Sequence, residues 1–219
     1  VTCVEFAASG NVVLSAGSDG TVRAYDLMRY RNFRTLVTPQ PVQFSSLAID
    51  ASGEIIMAGA LDPFEVYVWS LQTGKLLDVL IGHEAPVSAL AFSDSQSMLA
   101  SASWDHTVRL WDVYANKGQI EALQHSSDVL AIAYRPDGRE LTTSCLDGNL
   151  YVWDTYNGEL KHTIHARKDM LSGRSITHVK ESKNMQNTKA FTSLCYSADG
   201  TCLIAGGESR YVCIYELSK

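Results

Sequence analysis

The sequence has few cysteines and no segment suited to spanning or crossing a membrane. Its five cysteines are odd in number and none forms a C-x-x-C pair, so neither a disulfide framework nor a zinc ribbon is indicated and a reducing compartment is expected. No apolar run approaches the roughly 18 residues that a transmembrane helix needs, and the first residues do not form a signal peptide. The chain also lacks an initiating methionine, which predicts that it is part of a longer protein.

Net positive charge is also lacking. The formal net charge of −6 argues against a surface that attracts nucleic acid everywhere, although it leaves room for a local basic patch. The hydrophobic content of 46% over 219 residues is sufficient for a real core. No helix-period segment of useful length is present, so an all-β fold is favoured.

A repeated hexapeptide divides the chain. The segments "VRAYDL", "VYVWSL", "VRLWDV", "LYVWDT" and "VCIYEL" align on five aromatic anchors, which are Tyr25, Trp69, Trp111, Trp153 and Tyr215. The first four anchors recur about every 42 residues, and about 20 additional residues precede the fifth. Two β-rich runs precede each anchor and a further run follows it, bounded by Asp, Gly and Ser turns.

Four short strands per unit predict the blades of a β-propeller, because such units bury their apolar faces only by stacking on neighbours. The predicted blades span about residues 1–40, 41–82, 83–124, 125–165 and 190–219, with an insertion at 166–189. Seven such blades need roughly 300 residues, so the chain is expected to be a fragment of a seven-bladed propeller.

The segment "LASASWDHTVRLWDV" contains serine, aspartate and histidine, as a hydrolase would. However, two units carry the same residue types at the same offsets, whereas an enzyme needs only one active site. A structural tetrad is therefore favoured over a catalytic triad. The residues of the two tetrads are His83, Ser101, Asp105 and Trp111 in the third unit, and His125, Thr143, Asp147 and Trp153 in the fourth.

These offsets resemble the WD-repeat family, in which an indole, a hydroxyl, an imidazole and a turn carboxylate form a hydrogen-bonded chain. The other units depart from the pattern, since Ala58 and Ala205 replace the hydroxyl, Ser209 replaces the carboxylate, and the first unit lacks the histidine. In the fourth unit, Gln124 replaces the glycine that usually precedes the histidine. The complete network is expected in two blades only.

Other candidate sites have simpler interpretations. His162 and His165 could share a metal on a helix, but on a strand residues three apart point to opposite faces. The "GSDG" at 17–20 and the glycines at 206–207 lack the lysine and the following helix of a phosphate-binding loop, so tight hairpin turns are favoured. No cofactor, metal or small-molecule substrate is predicted.

Two basic regions are candidate contacts for RNA or an acidic partner. In "RYRNFR", Arg29, Arg31 and Arg34 alternate with aromatic residues and could clamp single-stranded RNA, although a position on the solvated face of an outer strand is favoured. The insertion is strongly basic in an acidic chain and could instead be an uncommitted surface loop. Its basic residues are Arg167, Lys168, Arg174, Lys180, Lys183 and Lys189.

Longer stretches, among them "DLMRYRNFRT", "LDPFEVYVW" and "RKDMLSGR", are similar to one eukaryotic branch of the WD-repeat family. That resemblance implies a nucleolar, non-catalytic scaffold of the small-subunit processome, which acts in processing the ribosomal RNA precursor. The expected partners are other processome proteins, with possible contact to pre-rRNA or small nucleolar RNA and none with membranes. Two alternatives remain open: a WD-repeat substrate receptor or adaptor outside ribosome assembly, which the lack of an arginine shortly after the W-D pairs disfavours, and an enzyme.

Overall fold

The chain forms a series of antiparallel sheets, each built from strands that follow one another in the sequence. This architecture is seen in a computed structural model that describes residues 1–93, 95, 97–114, 119–165, 190–207 and 212–217, with the side chains of residues 119 and 120 left aside. The described residues contain β-strands and turns but no α-helix, and none of their segments could cross a bilayer as a helix. The prediction of an all-β fold is confirmed.

Residues Val1–Gln124 form the first of two compact units and contain three sheets. Each sheet has four strands in sequential order. The first sheet comprises β1 (Cys3–Phe6), β2 (Val12–Ala16), β3 (Thr21–Asp26) and β4 (Arg31–Val37). The second comprises β5 (Phe44–Ile49), β6 (Ile55–Ala60), β7 (Val66–Ser70) and β8 (Leu76–Leu80). The third comprises β9 (Val87–Ser93), β10 (Met98–Ser103), β11 (Thr107–Asp112) and β12 (Gln119–Gln124).

Residues His125–Lys219 form the second unit. Its first sheet comprises β13 (Val129–Tyr134), β14 (Glu140–Cys145), β15 (Leu150–Asp154) and β16 (Leu160–Ile164). Its other sheet comprises β17 (Phe191–Tyr196), β18 (Cys202–Gly207) and β19 (Cys213–Glu216). Four strands were expected in every repeat, but this fifth sheet has three within the described residues, because Leu217 is the last described residue after β19.

Within each unit, the cores lie between successive sheets. In the first unit, Leu14, Phe44 and Trp69 belong to a buried cluster between the first and second sheets, and Met57 and Trp111 belong to another between the second and third. Strand β6 is consequently buried along almost its whole length, because its side chains face a neighbouring sheet on either side. In the second unit, Leu150, Phe191 and Leu203 belong to a cluster that joins its two sheets.

Two glycines lie where a side chain would clash with a neighbouring strand. A Cβ atom on Gly59 in β6 would lie 2.6 Å from Cγ1 of Val87 and 2.5 Å from Oγ of Ser46. In the fifth sheet, a Cβ on Gly207 would lie 2.2 Å from the carbonyl oxygen of Ala190. The expectation of a hairpin turn at 206–207 is therefore wrong, since both glycines belong to β18 and one of them makes room for the backbone at the start of β17.

Candidate functional site

In the third sheet, four polar side chains form one hydrogen-bonded chain. The indole N–H of Trp111 donates to the hydroxyl of Ser101 at 2.8 Å, and that hydroxyl lies 2.7 Å from Nε2 of His83. Nδ1 of His83 lies 2.7 Å from Oδ2 of Asp105. A carboxylate can only accept, so Nδ1 of His83 carries the hydrogen of this bond. The chain ties β10 and β11 to the segment before β9.

The carboxylate at the end of this chain is held by several donors. Asp105 accepts from the Thr107 hydroxyl at 2.6 Å and from the backbone N–H of Glu84 at 3.1 Å, in addition to His83. Burial alone would raise the pKa of Asp105, but the hydrogen bonds from His83 and Thr107 outweigh it and hold that pKa well below its usual range. Asp105 is therefore an ionised anchor for the turn between β10 and β11.

Serine, histidine and aspartate in this order match the composition of a hydrolytic triad, but the surroundings differ from those of a nucleophile. Ser101 has no exposed surface, and the side chain of His83 is 1% exposed. The hydroxyl oxygen also accepts the Trp111 N–H. A substrate carbonyl would need to reach an atom that is enclosed by the sheet, so the arrangement is suited to fixing strands rather than to attack.

The fourth sheet uses the same residue types with different connections. Nε2 of His125 lies 2.8 Å from the Thr143 hydroxyl, as in the third sheet, but the indole N–H of Trp153 donates to Nε2 of His125 at 3.1 Å rather than to the hydroxyl. Asp147 accepts from the hydroxyls of Tyr151 and Ser126, each at 2.9 Å. The expected indole-to-hydroxyl link is thus replaced.

The second sheet replaces the polar chain with aromatic packing. Trp69 is fully buried, lies edge-on to Phe44 with 5.7 Å between ring centroids, and stacks on Tyr67 at 5.9 Å. Its indole N–H donates to the carbonyl oxygen of Val37 in β4 at 3.4 Å. Ala58 leaves no hydroxyl for it, so the indole is satisfied by the neighbouring sheet.

The two histidines of the H-x-x-H pair lie at the end of the fourth sheet. His162 is an exposed residue of β16, and His165 follows that strand with its Nδ1 3.0 Å from Oδ1 of Asn149. Within the parts of the chain that the structure describes, no group of three or more His, Cys, Asp or Glu side chains could hold a metal ion.

The three arginines of "RYRNFR" do not share one environment. Arg31 and Arg34 lie on β4, and Arg29 precedes that strand, where it is 3.8 Å from Asp26. Arg34 instead donates to the carbonyl oxygen of Gln72 at 2.8 Å, in the turn that follows β7. Arg34 therefore links two sheets of the first unit, while Arg31 is exposed. The six basic residues of the insertion, and Ser209, lie outside the described residues.

Sequence reasoning missed two features of this part of the molecule. Tyr114, which follows β11, donates from its hydroxyl to Asp50, in the turn that follows β5, at 2.7 Å. Burial and the neighbouring Asp50 raise the pKa of Tyr114 to about 12. Trp104 is an exposed tryptophan in the turn between β10 and β11. The sequence does contain a signal for this exposed tryptophan, namely its position directly before Asp105, the aspartate of the turn.

Comparisons with known proteins agree with the repeat pattern. A profile of the WD domain, G-beta repeat, matches residues 1–26, 74–112, 118–154 and 180–216. Proteins named periodic tryptophan protein 2, or its homolog, match most of the chain. The Arabidopsis thaliana protein is 51% identical over 218 residues, the Mus musculus homolog 51% over 198, and the Saccharomyces cerevisiae protein 47% over 191.

These relatives are much longer than the present chain. The matches cover 100%, 90% and 87% of this chain, but only 24%, 22% and 21% of the plant, mouse and yeast proteins. The chain thus spans less than a quarter of the length of the relatives it matches.

Proposed function

Since this chain belongs to the WD-repeat family, we propose that it is part of a non-catalytic scaffold in ribosome biogenesis, a nucleolar component of the small-subunit processome. The observation that carries the proposal is the similarity to periodic tryptophan protein 2 along essentially the whole chain. The role proposed for this scaffold is in processing the ribosomal RNA precursor.

The geometry of the tetrads supports a scaffold. The groups that could perform hydrolysis are Ser101, His83 and Asp105, and they are buried and bonded to one another. A sheet held by such a network offers its turns and strand edges to partners.

Contact with RNA is assigned to the insertion. Residues 166–189 carry six Lys and Arg against two Asp and Glu. Basic side chains of this kind neutralise RNA phosphates, and the counterions bound to the RNA are released. In the first unit, Arg31 and Arg29 are the remaining candidates, because Arg34 already bonds to Gln72. Pre-rRNA and small nucleolar RNA are the proposed ligands, and processome proteins are the proposed partners.

The test is ultraviolet crosslinking of the tagged full-length protein in cells, with sequencing of bound RNA and identification of co-purified proteins. A matched variant replaces Arg167, Lys168, Arg174, Lys180, Lys183 and Lys189 with alanine. A second variant replaces Lys75, Arg135, Arg139 and Lys161 with alanine, to control for the loss of positive charge elsewhere.

We expect processome proteins to co-purify with every version, and RNA crosslinks to fall only when the insertion is changed. If processome proteins co-purify but no RNA is crosslinked, the result would indicate a scaffold that binds proteins and not RNA. Absence of both processome proteins and ribosomal RNA precursor would contradict the proposal and favour an adaptor outside ribosome assembly.

A further inference from the structure

One tryptophan differs from the others in its exposure. The sequence contains four tryptophans, and Trp69, Trp111 and Trp153 are buried, whereas Trp104 is 46% exposed. A tryptophan can bury up to about 250 Å² and is the residue most enriched among energetic hot spots of protein interfaces, together with tyrosine and arginine. Its exposure on a turn between β10 and β11 makes it a candidate contact.

The turn that carries Trp104 is fixed on both sides. The backbone N–H of Trp104 donates to the carbonyl oxygen of Pro86 at 3.1 Å. The hydroxyl of Ser103 donates to the carbonyl oxygen of Ala85 at 2.9 Å and accepts the backbone N–H of Asp105 at 3.1 Å. A partner that binds here meets a backbone turn that is already ordered, so little entropy is lost in ordering the turn.

The same backbone position carries an apolar residue in two other sheets. The N–H of Leu61 donates to the carbonyl oxygen of Gln43 at 2.9 Å, and in the second unit the N–H of Leu146 donates to that of Asp128 at 2.9 Å. In the three sheets this apolar residue directly precedes the aspartate of the turn. In these three sheets the repeat therefore places leucine or tryptophan where the turn leaves the sheet.

Leu61 and Trp104 belong to neighbouring sheets of one unit. Strand β6 ends directly before Leu61, and β9 begins directly after Pro86, whose carbonyl oxygen accepts from Trp104. The two strands pack together where Gly59 meets Val87. We call the accessible parts of Leu61 and Trp104, which lie at the same end of adjacent sheets, the Leu61–Trp104 patch. Leu61 is half-buried, whereas Trp104 is half-exposed.

The connections at this end of the first three sheets are acidic. They comprise residues 17–20, 38–43, 61–65, 81–86 and 104–106, which contain Asp19, Asp62, Glu65, Glu84 and Asp105 but no Lys or Arg. Asp62 and Glu84, beside the patch, are exposed. Asp19 differs from these in that it pairs with Arg23 at 3.0 Å. Basic residues such as Arg29 and Lys75 lie in the connections at the opposite end of these sheets.

The geometry points to a docking site at the Leu61–Trp104 patch for an extended protein segment that carries arginine or lysine beside an aliphatic side chain. The cation would lie over the indole face of Trp104 and near Asp62 and Glu84, while the aliphatic group contacts Leu61. RNA is disfavoured here because its phosphates would meet carboxylates. This inference rests on the proposed scaffold function and gives it a partner chemistry.

The test uses the full-length protein and a fluorescein-labelled peptide of alternating Arg, Leu and Ser, with binding followed by fluorescence anisotropy. The comparison probes are the same peptide with Glu in place of Arg and a labelled oligouridine RNA. The variants are Trp104→Ala, Trp104→Phe and Glu84→Lys. Tyr156→Ala is the matched control, because Tyr156 is a 91% exposed aromatic residue at the other end of its own sheet.

We expect the basic peptide to bind, Trp104→Ala and Glu84→Lys each to weaken it by about tenfold or more, and Trp104→Phe to weaken it less. Tyr156→Ala should bind as the unchanged protein does. Glu84→Lys alters an exposed side chain, so it tests the site even where Trp104→Ala fails to fold. Equal affinity for the Arg and Glu peptides, no peptide binding, or unchanged affinity in Glu84→Lys and Trp104→Phe would each overturn the proposal.

Tighter binding of oligouridine than of the basic peptide, lost in Trp104→Ala, would also overturn it in favour of an RNA site. The peptide assay does not depend on a role in ribosome assembly. Its failure would therefore leave the co-purification result intact, and a failed co-purification would not affect the peptide result.

Discussion

The indole of Trp111 donates to the hydroxyl of Ser101 at 2.8 Å, across two adjacent strands of one sheet. In the fourth sheet the matching indole donates to His125 instead, at 3.1 Å. The same residue types therefore build a continuous chain in one repeat and a chain with an altered link in the next. The two repeats provide an internal comparison of what the hydroxyl contributes.

Deleting the hydroxyl should cost more in the third sheet than in the fourth. Ser101→Ala leaves the buried N–H of Trp111 without its acceptor and Nε2 of His83 without the Ser101 hydroxyl, and we expect a loss of about 1–3 kcal/mol in the free energy of unfolding. Thr143→Val leaves the Trp153 to His125 bond in place, so its loss should be smaller. Urea unfolding followed by tryptophan fluorescence measures both, and equal losses would contradict the different roles assigned to the two hydroxyls.

The free energy of unfolding should depend on pH through the titration of Asp105 in the tetrad. Its pKa is depressed in the folded state from the ordinary value of 3.8, so its contribution is fully present above that value and is lost as the pH falls through the folded pKa. Thermal unfolding midpoints measured below about pH 4 should therefore fall more steeply in the unchanged protein than in Asp105→Asn. Parallel curves would show that this carboxylate is not the titrating group.

Gly59→Ala should destabilise the packing of the second sheet on the third. The new Cβ would lie 2.6 Å from Cγ1 of Val87, a buried and β-branched side chain that has little freedom to move. Overpacking of this kind costs about 1–3 kcal/mol. The double variant Gly59→Ala with Val87→Ala should recover part of that loss relative to the sum of the single variants, and strict additivity would contradict the steric explanation.

Tyr114→Phe should weaken the link between the second and third sheets. The change removes a bond of 2.7 Å to Asp50, and hydrogen bonds to charged groups contribute about 1.5–3 kcal/mol when buried, less at this half-exposed site. Tyr156→Phe is the control, since Tyr156 follows its W-D pair at the same offset but is exposed. A lower urea midpoint for Tyr114→Phe alone is expected, and equal midpoints would show that the bond contributes nothing to stability.

The sequence by itself determined the class of structure. Five aromatic anchors at nearly equal spacing, with alternating runs between turns, predicted successive antiparallel sheets, and the five sheets confirm it. This information is local, because strand propensity and turn residues act over a few positions and a repeat multiplies the same signal.

Only the tertiary structure decided which partner each side chain has. The sequence places Trp111 and Trp153 at equal offsets, yet one indole meets a hydroxyl and the other an imidazole nitrogen. Likewise, Arg34 is drawn to Gln72, and the strand at Gly207 approaches Ala190, although neither pair is close in the sequence. Contacts between sheets depend on side-chain direction and on small differences in packing, which repeat spacing does not encode.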